Sequence, residues 1–184
     1  MGIYGSLLTT LDDIILIVGI VLAILGILTI IPQIQILQKL ISMGTREGQT
    51  EKESTINTVF TTISVFALLI VFIDTRWLFL AGVLSVGWGD GLGEFIGRPF
   101  GKHKFKIISE KSVEGSFGVF LGTFLGIIFA ILLLDPFEIS MFVIMISLVS
   151  AIAASIVEAL SISFIDNVVM PFLVAGILWF NLGN

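Results

Sequence analysis

Three apolar runs, Ile14 to Ile31, Phe117 to Leu134 and Ile139 to about Leu160, each have the length of a bilayer crossing, and this constrains the fold more than any other feature. A backbone in lipid has no water to satisfy its N–H and C=O groups, so such runs must fold as helices that bond internally. The alternating pattern of a membrane β-barrel is absent. Only 12% of the residues are charged and 57% are hydrophobic, whereas a soluble domain carries about 25% charged residues. The expected fold is therefore all-α: a polytopic integral membrane protein of 184 residues in a single transmembrane domain. A net charge of −5 gives no overall attraction to nucleic acid, and the absence of cysteine excludes disulfides and thiolate metal sites.

In chain order, the spacing predicts six helices. The first, Ile14 to Ile31, follows Asp12 and Asp13 rather than basic residues and so reads as a retained helix, not a secretory signal. A polar segment from Gly44 to Thr55 reads as an aqueous loop or a mobile lid. Helices from about Ile56 to Ile73 and from Trp77 toward Gly97 follow, then Phe117 to Leu134, Ile139 to Leu160 and Val168 to Leu182. Turns are expected at Asp74 to Arg76, Asp135 to Pro136 and Ser161 to Asn167. The third helix has about a dozen apolar residues before Gly87, too few to cross unless it continues through the following glycines. Six crossings place Lys39, Arg46, Lys52, Arg98, Lys102, Lys104, Lys106 and Lys111 on one side and Arg76 on the other, so the basic side is expected to be cytoplasmic.

The stretch Gly89 to Ser116, GDGLGEFIGRPFGKHKFKIISEKSVEGS, holds five of the nine basic and four of the fourteen acidic residues. Gly89, Gly93, Gly97 and Gly101 recur every four residues, as do Gly118, Gly122 and Gly126, which is the spacing of close helix packing. Packing alone does not account for Asp90 and Glu94 one step further on. Four residues apart on one helical face, they suit a hard cation such as Mg2+, and the competing role is an ion pair with Arg98 or Lys102. Pro99 disfavours helix at Arg98, so Arg98 and Lys102 are expected in a turn beyond the helix end. His103 stands alone without a second histidine at metal spacing and reads as a surface residue.

Ser147, Ala151 and Ala154 form a small-residue stripe that leads to Glu158 and brings its carboxylate into the bundle. Asp166, just before the last helix, reads either as that helix's N-cap or as a functional acid that converges with Asp90.

Four ordered blocks, GDGLGEFIGRPFGK at Gly89 to Lys102, KSVEGS at Lys111 to Ser116, VEALSI at Val157 to Ile162 and IDNVVMP at Ile165 to Pro171, resemble the phytol kinase and dolichol kinase family. Those are polytopic enzymes that phosphorylate isoprenoid alcohols with CTP. The resemblance covers roughly residues 85–171, the expected catalytic core, and does not extend to the N-terminal helices of 1–84. It departs at Gly93, where members often have alanine, and in lacking an early basic and histidine motif within residues 33 to 55. The KSVEG block is also similar to phosphatidate cytidylyltransferases, whose C-terminal histidine, glycine and aspartate signature this chain lacks.

What the resemblance implies is a lipid-alcohol kinase. Asp90 and Asp166 would hold Mg2+, with Glu94 assisting, and Asp90, Glu158 and Asp166 would form the catalytic set. Gly97, Arg98, Gly101, Lys102, Lys111, Ser112, Glu114 and Gly115 would bind the nucleotide. Cations and backbone amides suit a polyphosphate, and Glu158 would orient or deprotonate the lipid hydroxyl. The implied partners are CTP, an isoprenoid alcohol and the membrane, with no nucleic acid; a homo-oligomer is compatible with the sequence. Two rival functions are nucleotidyl transfer to phosphatidate and non-enzymatic transport. The latter favours charges at the bilayer midplane and an internal repeat, and no repeat is visible.

Overall fold

A computed structural model describes Gly19 and residues 51–134, 138–161 and 163–183. Among these are α1 (Glu51–Val71), α2 (Arg76–Phe100), β1 (Lys104–Lys106), β2 (Glu110–Ser112), α3 (Val113–Leu134), α4 (Met141–Leu160) and α5 (Ser163–Leu182). The neighbouring pairs are α2 with α3, α3 with α4, α4 with α5 and α5 with α2, so four helices close a ring. The remaining helix, α1, lies against α5 and more lightly against α2. Leu68, Leu78, Val119, Ile127, Ile131, Met170, Val174 and Leu178 fill the centre.

Lipid tails are as apolar as leucine, so helices in a membrane associate mainly through close van der Waals packing. The α2–α3 interface shows how the sequence provides it. A Cβ on Gly118 would lie 2.6 Å from the Leu92 carbonyl oxygen, one on Gly122 would lie 3.0 Å from Gly89 Cα, and one on Gly97 would lie 3.1 Å from Gly115 Cα. The two glycine stripes face each other along antiparallel helices. The second stripe is a packing surface, as its spacing predicts, and Gly89, Gly93 and Gly97 are its counterpart. Buried hydroxyls bond within the bundle: Ser85 Oγ donates to the Gly82 carbonyl (2.7 Å) and Ser147 Oγ to that of Val143 (2.8 Å).

Among the described residues, three helices are long and apolar enough to cross a membrane: Val113–Leu134, Met141–Leu160 and Ile165–Leu182. They correspond to the last three crossings read from the sequence. The first, Ile14 to Ile31, lies outside the described residues. The second corresponds to α1, whose apolar part is the shorter Ile56–Val71, and the third to α2, which carries Asp90, Glu94 and Arg98 in its C-terminal half.

Several expected boundaries are corrected. Glu51 to Thr55, expected in a loop, already belong to α1, while residues 44–50 lie outside the described residues, as do Asp135 and Pro136. The last helix begins at Ser163, not Val168, so Asp166 sits within its first turn and is not its N-cap. Arg98 is helical, because α2 runs through Pro99 to Phe100 and closes with the Gly101 amide on the Gly97 carbonyl at 3.0 Å. The restriction imposed by a proline on the preceding residue is a local preference. Here the Gly97–Gly115 backbone contact and a Glu94–Arg98 ion pair hold the last turn helical. Beyond it, the expected charged loop contains a two-stranded antiparallel hairpin.

Candidate active site

The site is built at the end of the bundle where α2 and α4 finish and α3 and α5 begin. In the hairpin, Lys104 pairs with Ser112, Phe105 with Lys111 and Lys106 with Glu110. Side chains alternate across a strand, so Lys111 points to the opposite face from its neighbour Glu110. On the outer face, Lys104 Nζ donates to Glu110 Oε1 at 2.8 Å. That bond and the accompanying charge attraction raise the Lys104 ammonium pKa and lower that of the Glu110 carboxyl. Ser112 caps α3, its hydroxyl accepting from the Gly115 amide at 3.1 Å.

On the inner face, Lys111 Nζ lies 2.5 Å from Glu158 Oε1 and 3.7 Å from Asp166 Oδ2. Glu158 is only 7% exposed and Asp166 3%. Helical periodicity explains Glu158, since it continues the buried stripe of Ser147, Ala151 and Ala154 by one turn. Its second oxygen, Oε2, accepts from Ser116 Oγ at 3.3 Å, and Ser116 is itself held by Ser155 Oγ on its carbonyl at 2.8 Å. Asp166 Oδ1 accepts from the Asn167 amide at 2.8 Å. Ser109 Oγ ties the hairpin to α4 by donating to the Ser161 carbonyl at 3.2 Å. Isolated charges at this depth would be costly, and each carboxylate here shares the Lys111 ammonium.

Asp90, partly buried on α2, is close enough for its charge to act on Asp166. Glu94 is paired with Arg98, the role weighed against metal binding in the sequence. Among the described residues, no three acidic or histidine side chains form a metal-holding group, so Asp90, Glu94 and Asp166 do not make a three-carboxylate cage. Mg2+ needs less than that, since it commonly binds one or two carboxylates and completes its shell with water and substrate phosphates. Asp90 and Asp166, two carboxylates on helices in contact, have the donor chemistry for such a site, and Asp166 Oδ2 faces the Lys111 ammonium at 3.7 Å.

The remaining sequence candidates divide by position. Gly97 and Gly115 are in mutual backbone contact, and the Gly101 and Gly115 amides already donate to the Gly97 carbonyl and to Ser112 Oγ. Glu114 receives the His103 ring, with Nδ1 and Oε1 2.7 Å apart, so exposed His103 has a partner. Arg98 stays about half exposed beside an open groove of about 400 Å3 lined by Gly91, Glu94, Phe95, Arg98 and Pro99. Exposed Lys102 follows the α2 terminus. Sequence reasoning assigned no role to Ser109, Ser116, Ser155 or Asn167. The available signal was spacing: Ser155 is one helical turn before Glu158, and Ser116 closes the KSVEGS block.

No family model matches the chain, and no solved structure does. The chain is 32% identical over 99 residues to a phytol kinase of Synechocystis sp., a match covering 53% of this chain and 42% of that protein. It thus spans less than half the length of the curated relative it matches.

Proposed function

We propose that this chain is a kinase that phosphorylates a membrane-embedded isoprenoid alcohol, with CTP as phosphoryl donor. The observation that carries the reading is the Lys111–Glu158–Asp166 cluster, two buried carboxylates and a partly buried ammonium that the hairpin, α4 and α5 bring to one end of an apolar bundle. An acid within a membrane helix is costly and marks function by default. The similarity to a phytol kinase supports the reaction class. Placement of the charges at one end of the helices, rather than midway along them, speaks against a transport pathway.

Phosphoryl transfer asks a protein mainly for positioning and electrostatics. In this reading Arg98 and Lys102, at the exposed end of α2, contact the nucleotide phosphates, Arg98 as a planar fork and Lys102 as a point charge. Lys111 neutralises charge nearer the reacting phosphorus. Ser112, Glu114, Gly97, Gly101 and Gly115 hold the hairpin and the α2–α3 junction in the geometry that presents these cations. Asp90 and Asp166 would hold Mg2+, which supplies charge neutralisation on the triphosphate when bound. Glu158, fixed at one oxygen by Lys111 and at the other by Ser116, orients the lipid hydroxyl and accepts its proton. The alcohol oxygen bonds to the terminal phosphorus, the bond to the bridging oxygen breaks, and a nucleoside diphosphate leaves. The prenyl chain lies among the helices. Six crossings, with the site on the cytoplasmic face, complete the proposal.

The test is purified protein in detergent with γ-labelled CTP, other nucleoside triphosphates and a panel of phytol, polyprenols and shorter prenols. Transfer of the terminal phosphate to a lipid alcohol is the expected result. Release of pyrophosphate with phosphatidate as acceptor would instead establish nucleotidyl transfer. Single cysteines at Thr45, His103 and Ser163, labelled from either side of sealed vesicles, should all report the cytoplasmic side.

A further inference from the structure

The tip of the hairpin carries two consecutive exposed apolar side chains, Ile107 at 60% and Ile108 at 55%, with Phe100, also 60% exposed, at the end of α2. Exposed lysines precede the tip along the chain: Lys102 before β1, Lys104 within it and Lys106 directly beside Ile107. Glu110 accepts a hydrogen bond from Lys104. The hairpin is tied to the bundle along its second half: Lys111 is bonded to Glu158, and Ser109, the last residue of the turn, to the Ser161 carbonyl, while Ile107 and Ile108 remain exposed.

We propose that this tip is an interfacial anchor, with Ile107 and Ile108 seated in the headgroup region of the bilayer and the lysines on the phosphates of anionic lipids. Two observations select a lipid surface as the occupant. The first is covalent reach: β2 runs directly into α3, a helix long and apolar enough to cross a membrane, so Ile108 lies within roughly 17 Å of that helix's start at strand rise. The second is charge complementarity, because exposed apolar side chains at the end of a strand carrying Lys104 and Lys106 match an interface of acyl chains beneath anionic headgroups, where lysine stems lie along apolar surface and their ammoniums reach phosphate. Seated in this way, the tip would hold β2, and therefore Lys111, against Glu158. The inference does not rest on the kinase reading.

The chain has no cysteine, so Ile107→Cys and Ile108→Cys each give a single labelling site. With an environment-sensitive fluorophore at either site, the protein is placed in detergent, in single-copy nanodiscs of phosphatidylcholine, and in nanodiscs that add phosphatidylglycerol. Circular dichroism confirms the helical fold of each variant. The expected result is several-fold less quenching by aqueous iodide in nanodiscs than in detergent, strong quenching by lipids with a nitroxide near the headgroup, and further burial with phosphatidylglycerol. Lys102→Gln/Lys106→Gln should remove the phosphatidylglycerol increment and leave the burial in phosphatidylcholine. Iodide quenching unchanged between detergent and nanodiscs, with no effect of nitroxide lipids, would overturn the proposal. Burial seen only when a disc holds two copies would overturn it in favour of a protein contact.

Discussion

Lys111 Nζ lies 2.5 Å from Glu158 Oε1, a contact spanning 47 residues of chain between a short strand and the last turn of a helix. The same ammonium is 3.7 Å from Asp166 Oδ2, so one cation serves two buried carboxylates. Lys111→Met should therefore destabilise the protein by about 3–5 kcal/mol, the usual cost of leaving a buried charge without its partner. Glu158→Gln should cost less, because Asp166 still answers Lys111. Unfolding midpoints of both variants in one detergent check this ordering, and equal losses would mean that Asp166 does not share the cation.

Asp90→Asn and Asp166→Asn should each remove most phosphoryl transfer while leaving the unfolding midpoint close to that of the unaltered protein. The double variant should lose little more than the worse single, since groups that act as a unit are not additive. Asp166 lies inside the first turn of α5, so a helix-capping loss does not compete with this reading. Turnover against Mg2+ concentration is the measurement, and multiplicative losses would assign the two acids separate tasks.

Ser116→Ala should lower turnover, with substrate KM affected less than kcat, because it frees Glu158 Oε2 while Lys111 still holds Oε1. Ser116→Thr, which keeps the hydroxyl, should restore part of the rate. A rate unaffected by Ser116→Ala would show that the 3.3 Å contact does not orient the carboxylate.

Gly118→Ala should cost roughly 1–3 kcal/mol, the range for overfilling a packed interface. The new Cβ would stand 2.6 Å from the Leu92 carbonyl oxygen, and backbone cannot swing aside as a side chain does. Gly176→Ala is the control, since nothing lies within 4 Å of the added methyl, and replacing a helical glycine by alanine favours the helix by about 1 kcal/mol. Unfolding should shift in opposite directions for the two variants.

The Lys104–Glu110 pair should persist through neutral pH. Glu110 titrates lower when folded, so its contribution is present above the unfolded carboxyl pKa and lost as pH falls through the folded value. Lys104 titrates higher when folded, so its contribution is present below the unfolded ammonium pKa and lost as pH rises through the folded value. Both side chains are largely exposed, so salt should weaken the effect. In a carbon-13 titration, Lys104→Gln should move the Glu110 midpoint up toward an ordinary carboxylate, and an unmoved midpoint would show that the pair does not form.

Much of this architecture was legible in the sequence because lipid makes it so. A backbone in hydrocarbon can bond only within its own helix, so run length alone marks α3 and α4. The glycine spacing marked a close-packing surface on α3, as only residues without side chains allow such close backbone approach, and the structure showed α2 to be the helix packed on it. Tertiary structure decided what local rules could not. Pro99 argued against helix at Arg98, and contacts from another segment, Gly115, together with the Glu94 pair, kept it helical. The hairpin carries no strong turn signal at Ile107 to Ser109; its ladder and its tie to Ser161 place those residues. Above all, sequence named Lys111, Glu158 and Asp166 as charged candidates but could not pair them. Which carboxylates one partly buried ammonium meets depends on how strand alternation, the helical stripe before Glu158 and the start of α5 meet at the end of the bundle.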